Sequence, residues 1–319
     1  MTNFWQSLKK PIYALAPMAG ITDSPFRLLC REFGADVVYS EMASVAALQY
    51  KPDKTMAMLR FLPEERPYVV QLFGKHPEQF ARAAKYLSEQ LNVDGFDINF
   101  GCPVAKVQKQ GAGAVLMGDP LLAREIVQAV IENTTLPVSI KIRARMEKGE
   151  GDVKKRIDAL EFLTALDGLP IAAVMIHGRS MAQGHSGPVD TSVIREARSL
   201  VKGVLLANGG VTDITSAQTL LSETGADGLG IARGALGRPW LFAELQSGKR
   251  NPITEEEIFS LALRQAEMME SYGGIAAIKE MRKHLCWYVS GLPNATELRR
   301  QLVQVNTVDE IKTILKKEA

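Results

Sequence analysis

The sequence contains few cysteines and no long apolar segment. Its three cysteines, Cys30, Cys102 and Cys286, are widely spaced in 319 residues and form no C-x-x-C pair. This spacing excludes a disulfide framework and provides no zinc-ligand pattern, so we expect no bound metal. The chain also lacks a signal-peptide pattern after Met1 and an apolar run of bilayer length. We therefore expect a cytoplasmic protein without membrane contact.

A strong charge imbalance is absent as well. The 38 Lys and Arg residues nearly balance the 36 Asp and Glu residues, for a net charge of +2. This balance does not identify a nucleic-acid-binding protein, so any RNA contact requires basic side chains that cluster on one face. The hydrophobic content of 46% in 319 residues is enough for one large domain and a small second one.

Eight short apolar segments, bounded by Gly, Pro or Asp, predict buried strands. They cover residues 12–18, 36–42, 68–73, 94–100, 138–142, 172–177, 203–208 and 227–232. Amphipathic segments at 77–91, 120–133 and 216–224 predict helices between them, and the first two begin at a proline, which suits the first helical turn. Eight strand–helix units in roughly 240 residues match an α/β protein with a (β/α)₈ TIM barrel.

An open, doubly wound sheet is the alternative architecture. Polar residues stand at the carboxyl ends of nearly all the predicted strands. A barrel collects such residues around one rim, whereas an open sheet collects them at one crevice. The pattern therefore favours the barrel.

The strand-like segments end before residue 253. The remaining sequence predicts four helices, at 255–272, 275–290, 295–305 and 308–318. We therefore predict two domains, which are a catalytic barrel over residues 1–245 and a small C-terminal helical bundle over residues 246–319.

The segment DINFGCPVAKV provides the strongest local signal. Asn99 ends the fourth predicted strand, and Gly101, Cys102 and Pro103 follow at once. A cysteine directly after a barrel strand lies at the active face. The flanking glycine permits a tight turn and the flanking proline fixes φ, so together they set a specific backbone path. A free cysteine is often a small buried apolar residue, but this loop favours a chemical role for Cys102.

Two glycine-rich loops follow the seventh and eighth predicted strands. Backbone N–H groups in such loops form a phosphate cradle, and barrels often bind phosphate at this position. An arginine in the second loop adds a fork that matches phosphate oxygens. The residues of the predicted cradle are Asn208, Gly209, Gly210, Ala232, Arg233 and Gly234. A plain structural turn is the alternative for each loop alone.

Single polar residues at other strand ends suggest a flavin site. Gln71 ends the third strand, Lys141 lies in the fifth, His177 closes the sixth, and Met18 and Ala19 follow the first. An isoalloxazine ring needs apolar walls, an amide for its edge and a cation near N1–C2=O. Taken singly, Lys141 could be an ion-pair partner and His177 a core histidine; their shared placement favours the flavin.

The segments APMAGITDSPFR, DINFGCPVAKV, ANGG and IARGALGRPW, in this order, resemble the tRNA-dihydrouridine synthase family. The resemblance covers essentially the whole chain, and HLCWY at 284–288 resembles the helical C-terminal domain of that family. Within the bacterial branches the chain is most similar to the DusB-like group.

The resemblance implies an enzyme with bound FMN, NADPH as reductant and tRNA as substrate. It implies hydride transfer from flavin N5 to uridine C6 and proton transfer from Cys102 to C5, which yields 5,6-dihydrouridine. Asn99 and Lys106 would orient the base or stabilise the enolate. The residues on flavin positions of the family are Pro17, Met18, Gln71, Lys141, His177, Asn208, Gly210, Ala232 and Arg233. We expect a monomer without an obligate protein partner.

Basic residues in both predicted domains suggest the tRNA contact. We predict two walls of one basic cleft, with the flavin at its floor. The barrel wall comprises Arg143, Arg145 and Arg179, and the helical wall comprises Lys279, Arg282, Lys283, Arg299 and Arg300. The alternative for the helical residues is a solvated helix face.

Three loops depart from the family pattern. ARMEKG follows KIR, His185 replaces a tyrosine, and Thr191 stands where a tryptophan is usual. These departures leave the position of the target uridine open. Two other functions remain as alternatives, a small-molecule flavin reductase of the dihydroorotate or dihydropyrimidine type and a non-catalytic flavin- or phosphate-binding barrel. The helical bundle argues against the first, and the Gly-Cys-Pro turn argues against the second.

Overall fold

A closed parallel sheet forms the centre of the computed structural model, which describes residues 3–148 and 155–316. Its strands are β1 (Ile12–Leu15), β2 (Val37–Tyr39), β3 (Ala43–Ser44), β4 (Tyr68–Phe73), β5 (Gly95–Phe100), β6 (Val138–Arg143), β9 (Ala173–His177), β10 (Val204–Asn208) and β11 (Gly228–Ile231). The short strand β3 only extends the edge of β4, and the other eight strands form the ring. The TIM-barrel prediction is confirmed.

Closure of the ring depends on the pairing of β2. This strand pairs with β1 on one side and with β4 on the other, while β1 also pairs with β11. The sheet therefore has no free edge between its first and last strands, and the open-sheet alternative is wrong. The predicted strand at 36–42 is shorter than expected, because the chain leaves the ring after Tyr39.

A small antiparallel hairpin was not expected from the sequence. Its strands, β7 (Arg145–Lys148) and β8 (Lys155–Asp158), follow β6 directly. The hairpin falls on the ARMEKG segment, which departs from the family pattern. Residues 149–154 lie outside the described part of the chain.

Helices surround the ring and continue after it. Those of the barrel region are α1 (Ser24–Glu32), α2 (Val45–Tyr50), α3 (Pro52–Met58), α4 (Pro77–Gln90), α5 (Ala105–Gln108), α6 (Pro120–Glu132), α7 (Ala159–Ala165), α8 (Thr191–Ala197), α9 (Ile214–Thr224) and α10 (Leu241–Ser247). Those that follow are α11 (Glu255–Gly273), α12 (Ile275–Tyr288), α13 (Ala295–Leu302) and α14 (Val308–Lys316). Short 3₁₀ turns occur at Phe4–Ser7, Pro63–Glu65, Gly113–Gly118 and Arg233–Ala235.

The helix starts follow the capping chemistry of the sequence. Pro120 occupies the first turn of α6, and the side chain of Asp119 accepts a hydrogen bond from the backbone N–H of Leu122 at 3.2 Å. In α9 the side chain of Asp213 accepts from the N–H of Ser216, and Gly225 ends the helix with φ +62°. These caps satisfy N–H groups that lack partners within the helix. The helices predicted at 77–91, 120–133 and 216–224 are confirmed within two residues.

The period of two along each strand divides the core into two layers. Ile12 and Ala14 pack inside the barrel with Trp5, which is 1% exposed. Tyr13 and Leu15 point outward and join the larger cluster beneath the surrounding helices. Alternation of this kind is the expected consequence of strand geometry. Apolar side chains such as these fill much of the ring, and a few buried polar residues, among them Asp97 and Ser139, also lie within the strands.

The last four helices form a core of their own, which contacts the barrel at α1. Their buried residues include Ile258, Leu285 and Leu302. The guanidinium of Arg264 on α11 donates to both carboxylate oxygens of Glu32 on α1, at 2.6 and 2.5 Å. The helical nature of this region is as predicted.

The exact domain boundary at 245/246 stays a prediction. Helix α10 runs across this point, and its residue Leu245 packs on the barrel core. The helix itself ends at Ser247. In the part of the chain that the structure describes, no helix has the length and apolar character needed to cross a membrane.

Candidate active site

The carboxyl ends of the barrel strands surround a cavity of about 650 Å³. This volume lies within the range of ligand and cofactor sites. All of the predicted flavin residues line it, namely Pro17, Met18, Ala19, Gln71, Lys141, His177, Asn208, Gly209, Gly210, Ala232, Arg233 and Gly234. Cys102, Asn99, Arg143 and Arg179 line it as well. The fold thus brings residues from distant parts of the sequence to one place, while their individual roles stay predictions.

Hydrogen bonds to its backbone hold the loop that carries Cys102. The side-chain oxygen of Asn99 accepts from the N–H groups of Gly101 and Cys102, at 3.1 and 2.9 Å. The carbonyl of Cys102 accepts from the N–H of Ala114 at 3.0 Å. Gly113 has φ +71°, and a Cβ there would lie 2.8 Å from that carbonyl. This position therefore requires glycine.

The thiol of Cys102 is suited to hold a proton. Burial raises its pKa above the usual value, while Arg143 and Lys141 act in the opposite direction. The net shift is upward, so the thiol is protonated at neutral pH. A protonated thiol at the wall of a cavity can act as a general acid.

Arg143 is buried and bound to backbone carbonyls. Its side chain donates to the carbonyl of Gly101 at 2.7 Å, to Ser180 at 3.0 Å and to Gly184 at 2.8 Å. With 2% exposure it presents little surface for a phosphate. Its geometry is that of a brace between the Cys102 loop and the loop after β9, so we assign this role in place of the predicted RNA contact.

Lys141 places a cation at the floor of the cavity. Its ammonium donates to the side-chain oxygen of Asn208 at 3.2 Å, and the Asn208 amide donates to the carbonyl of Gly230 at 2.6 Å. Burial, assisted by the charge of Arg143, lowers the pKa of Lys141 to about 8. The lysine is therefore still mainly charged at neutral pH. The floor of the cavity carries a cation that few solvent molecules screen.

His177 is neutral over the physiological range. Burial lowers its pKa to about 2, and the charges of Lys141, Arg143 and Arg179 act in the same direction. Its ring lies 5.9 Å from that of His185 at an interplanar angle of 28°. An imidazole with this pKa carries no additional proton that it could donate as an acid at neutral pH.

The two glycine-rich loops combine open backbone with positive charge. Gly209 and Gly210 have φ values of +114° and +79°, which are unfavourable for residues with side chains. A Cβ on Gly234 would lie 2.2 Å from the carbonyl of Val211, so this position is closed to larger residues. Arg233 lines the cavity beside these loops and donates to the carbonyl of His185 at 3.2 Å.

The charge of the cavity favours an anionic ligand. Among the described residues that line it, four are Lys or Arg and none is Asp or Glu. Such an arrangement attracts phosphate groups and disfavours cations. The described residues also contain no cluster of metal-ligating side chains.

Several predicted tRNA residues lie outside the cavity. Lys106 is exposed on α5, and Arg145 lines a separate cavity of about 640 Å³ beside the hairpin. Of the helical residues, Lys279, Arg299 and Arg300 are exposed and Lys283 is half-buried. Arg282 donates to the carbonyls of Val305 and Gln304 and to the side chain of Asn306, so it ties α12 to the loop before α14.

The cavity also includes residues that the sequence did not single out for this role. Met42, Val104 and His185 line it. Met42 stands three residues before Val45, the first residue of the short α2, and its sulfur lies 3.7 Å from the amide nitrogen of Asn99. The end of the second predicted strand is the signal that could have identified Met42.

Comparison with known proteins places the chain in a family. Residues 14–319 match the family model of dihydrouridine synthase (Dus). The chain belongs to this family. The match includes both the barrel and the C-terminal helices.

Curated relatives match over most of their length. The chain is 36% identical to the probable tRNA-dihydrouridine synthase of Mycobacterium tuberculosis H37Rv over 325 residues, which cover 97% of this chain and 82% of that protein. It is 34% identical to probable tRNA-dihydrouridine synthase 1 of Synechocystis sp. PCC 6803 over 306 residues, which cover 94% and 84%. For the probable tRNA-dihydrouridine synthase of Rickettsia conorii the identity is 35% over 292 residues, with coverage of 89% and 86%.

Solved structures support the fold alone. Histamine dehydrogenase from Rhizobium sp. 4-9 aligns with a TM-score of 0.57 at 12% identity, over 85% of this chain and 48% of that chain. This chain thus spans about half the length of that protein. A variant of morphinone reductase in complex with tetrahydroNAD aligns with a TM-score of 0.52 at 12% identity, over 79% and 91%.

Replacement of Lys141 tests the electrostatics of the cavity without a substrate. The folded-state pKa of about 8 lies below the reference of 10.5, so the folded state binds the proton less tightly than the unfolded chain. Charged Lys141 therefore opposes folding fully below pH 8, and this effect declines as the pH rises toward 10.5. We expect Lys141→Met to stabilise the ligand-free protein by about 1–3 kcal/mol at pH 7 and by less at pH 10.

Urea denaturation at the two pH values measures the effect. Lys85→Met, on the exposed face of α4, serves as the matched control and should change the free energy of unfolding little. A Lys141→Met protein that is no more stable than the wild type at pH 7 would contradict the electrostatic picture.

Proposed function

We propose that this protein is a tRNA-dihydrouridine synthase, an FMN-dependent oxidoreductase that uses NADPH to reduce the C5=C6 bond of specific uridines in tRNA. Family membership and the names of the curated relatives support this reaction. The observation that carries the proposal is that Cys102, Lys141 and both glycine-rich loops line one cavity. The family argues against the small-molecule reductase and the non-catalytic barrel.

The residues of the cavity fit a flavin mononucleotide. The open backbone at Gly209 and Gly210, with Arg233 beside it, suits a terminal phosphate. The amide of Gln71 and the ammonium of Lys141 suit the polar edge of the ring. The chain contains no G-x-G-x-x-G segment for a dinucleotide, which favours FMN over FAD. When bound and reduced, the flavin supplies the hydride that adds to C6 of the base.

Cys102 donates the proton that C5 of the base requires. Its raised pKa keeps the thiol protonated at neutral pH. Asn99 holds the backbone of the loop, and Arg143 braces it from the side of β6. Because these contacts are in place without a substrate, the acid is positioned before the base enters.

The tRNA substrate approaches the rim of the barrel. A base within folded RNA cannot reach the floor of the cavity, so the target uridine leaves its stack. Arg179 at the rim, together with Lys279, Lys283, Arg299 and Arg300 on the helices, contacts the phosphate backbone. We also propose that the enzyme acts as a monomer in the cytoplasm.

The identity of the cofactor provides the first test. Mass spectrometry of the material released from the purified protein should detect FMN, and FAD would contradict the proposed phosphate site. Arg233→Ala removes a charge-assisted hydrogen bond and should weaken flavin retention roughly ten- to a hundredfold. Arg250→Ala, exposed and outside the cavity, is the matched control and should retain FMN like the wild type.

Loss of the Cys102 thiol tests the reaction. Cys102→Ala should keep FMN and still be reduced by NADPH, but its reduction of uridine should fall on the order of 10²–10⁴-fold, the usual contribution of a positioned acid. The measurement is single-turnover reoxidation of the reduced enzyme by unmodified tRNA. Cys286→Ala, which removes the other half-buried thiol, should react at the wild-type rate. Dihydrouridine formation at that rate by Cys102→Ala would exclude this cysteine as the donor.

Salt dependence of tRNA affinity tests the helical wall. Lys283 and Arg300 pair with Glu280 and Glu297 at 2.7 and 2.5 Å. Such exposed pairs are weak, so both cations remain able to exchange their carboxylate for a phosphate.

For Lys283→Ala and for Arg300→Ala we expect the slope of log affinity against log salt to decrease by roughly 0.9 per lost contact, or less for single-stranded regions. The control is Lys202→Ala, because Lys202 also forms an exposed ion pair but precedes β10, at the opposite end of the barrel. Unchanged affinity and slope in both helical variants would remove these residues from the tRNA site.

A further inference from the structure

A row of buried polar residues crosses three strands beneath the cavity. Gln71 on β4 is the register partner of Asp97 on β5, and Asp97 is the partner of Ser139 on β6. Asn99 lies two residues after Asp97, on the same face of β5. Asp97 is 0% exposed, and the other three are at most 7% exposed.

These side chains form a continuous chain of hydrogen bonds. Ser139 Oγ and Gln71 Nε2 each donate to the carboxylate of Asp97 at 2.7 Å. Asn99 Nδ2 donates to Gln71 Oε1 at 2.9 Å. Asn99 Oδ1 then accepts from the backbone N–H groups of Gly101 and Cys102. This chain of hydrogen bonds thus runs from the buried carboxylate of Asp97 to the backbone of Cys102, the proposed acid.

The carboxylate determines the direction of the whole chain. An ionised carboxylate can only accept, whereas an amide donates on one side and accepts on the other. Gln71 must therefore turn its nitrogen to Asp97 and its oxygen to Asn99. Asn99 must in turn donate to Gln71, which leaves its oxygen for the N–H of Cys102. Removal of the acceptor at residue 97 would free both amides to turn over.

We propose that Asp97 is a positioning residue for the reaction. Its carboxylate orients the amides of Gln71 and Asn99, and through them it fixes the edge that Gln71 presents to the cavity and the backbone at Cys102. The inference rests on the proposed function for its catalytic meaning, but the hydrogen-bond coupling can be measured without a substrate.

Exchanging the acidic residue at position 97 with the amide residue at position 99 tests the direction of the hydrogen-bond chain. Asn99→Asp places acceptor-only groups on both sides of Gln71, so one contact must be lost. In Asp97→Asn the hydroxyl of Ser139 can accept from the new amide and still donate to the carbonyl of Phe96, so the direction survives. The double variant Asp97→Asn/Asn99→Asp allows Gln71 to turn over and satisfies every group in the reversed direction.

The expected readout is the melting temperature at pH 8. Burial raises the pKa of Asp97 to about 6, so its carboxylate is ionised there. Asn99→Asp should melt roughly 3–8 °C below the wild type, and the double variant should recover at least half of that loss. A double variant whose loss equals the sum of the two single losses would overturn the proposal.

A second comparison separates positioning from simple stabilisation. Ser139→Ala removes a hydrogen bond to the same carboxylate but leaves the path through Gln71 intact, so it should melt earlier with kcat per bound flavin within about twofold of the wild type. Asp97→Leu removes the acceptor for Gln71, and its kcat should fall roughly ten- to a hundredfold while the KM for tRNA changes less than about threefold.

Equal losses of kcat in Ser139→Ala and Asp97→Leu would reduce Asp97 to a structural role and overturn the inference. If Asp97→Leu does not fold, the exchange experiment still decides it. A wild-type protein that reduces no uridine in tRNA would refute the proposed function, whereas the melting temperatures would still report the coupling.

Discussion

Closure of the parallel sheet is the constraint on which the rest of the structure depends. The pairing of β2 with both β1 and β4 completes the ring, and every strand in it runs in the same direction. All the carboxyl ends therefore meet at one rim. Residues as distant in sequence as Met18 and Arg233 line one cavity for this reason alone. Apolar side chains, Trp5 among them, fill much of the ring below this rim.

The charged and titratable groups of the rim influence one another in ways that suit a single function. Lys141 and Arg143 are buried cations, and burial lowers the pKa of each, to about 8 and about 10. The same charges help to hold His177 neutral, while burial keeps the proton on Cys102. A site with this charge pattern attracts an anion and still offers a protonated thiol. Both properties are needed if a phosphate-bearing cofactor and an RNA base share the cavity.

Preorganisation of the Cys102 loop comes from elements on several strands. Asn99 holds it from β5, Arg143 holds it from β6, and Gly113 allows the close return of the chain against the carbonyl of Cys102. The buried carboxylate of Asp97 stands behind these contacts. A loop supported in this way keeps its geometry without relying on the substrate.

The sequence by itself determined the order of the eight barrel strands and the helical character of the C-terminal region, because strand and helix periodicities and capping residues are local properties; the hairpin of β7 and β8 had no such local signal. It also identified the loop of Cys102 and the glycine pair at 209–210, because glycine permits backbone conformations that other residues disfavour and proline fixes φ, and both effects are local.

Only the tertiary structure decided what long polar side chains do. Arg143 binds Gly184, 41 positions away, and Arg282 binds Val305, 23 positions away, so both basic residues serve the fold, although their charge suggested RNA contacts. The direction of the Asp97 chain likewise depends on strand register. Charge is visible in a sequence, but the partner that satisfies it is chosen by packing between distant segments.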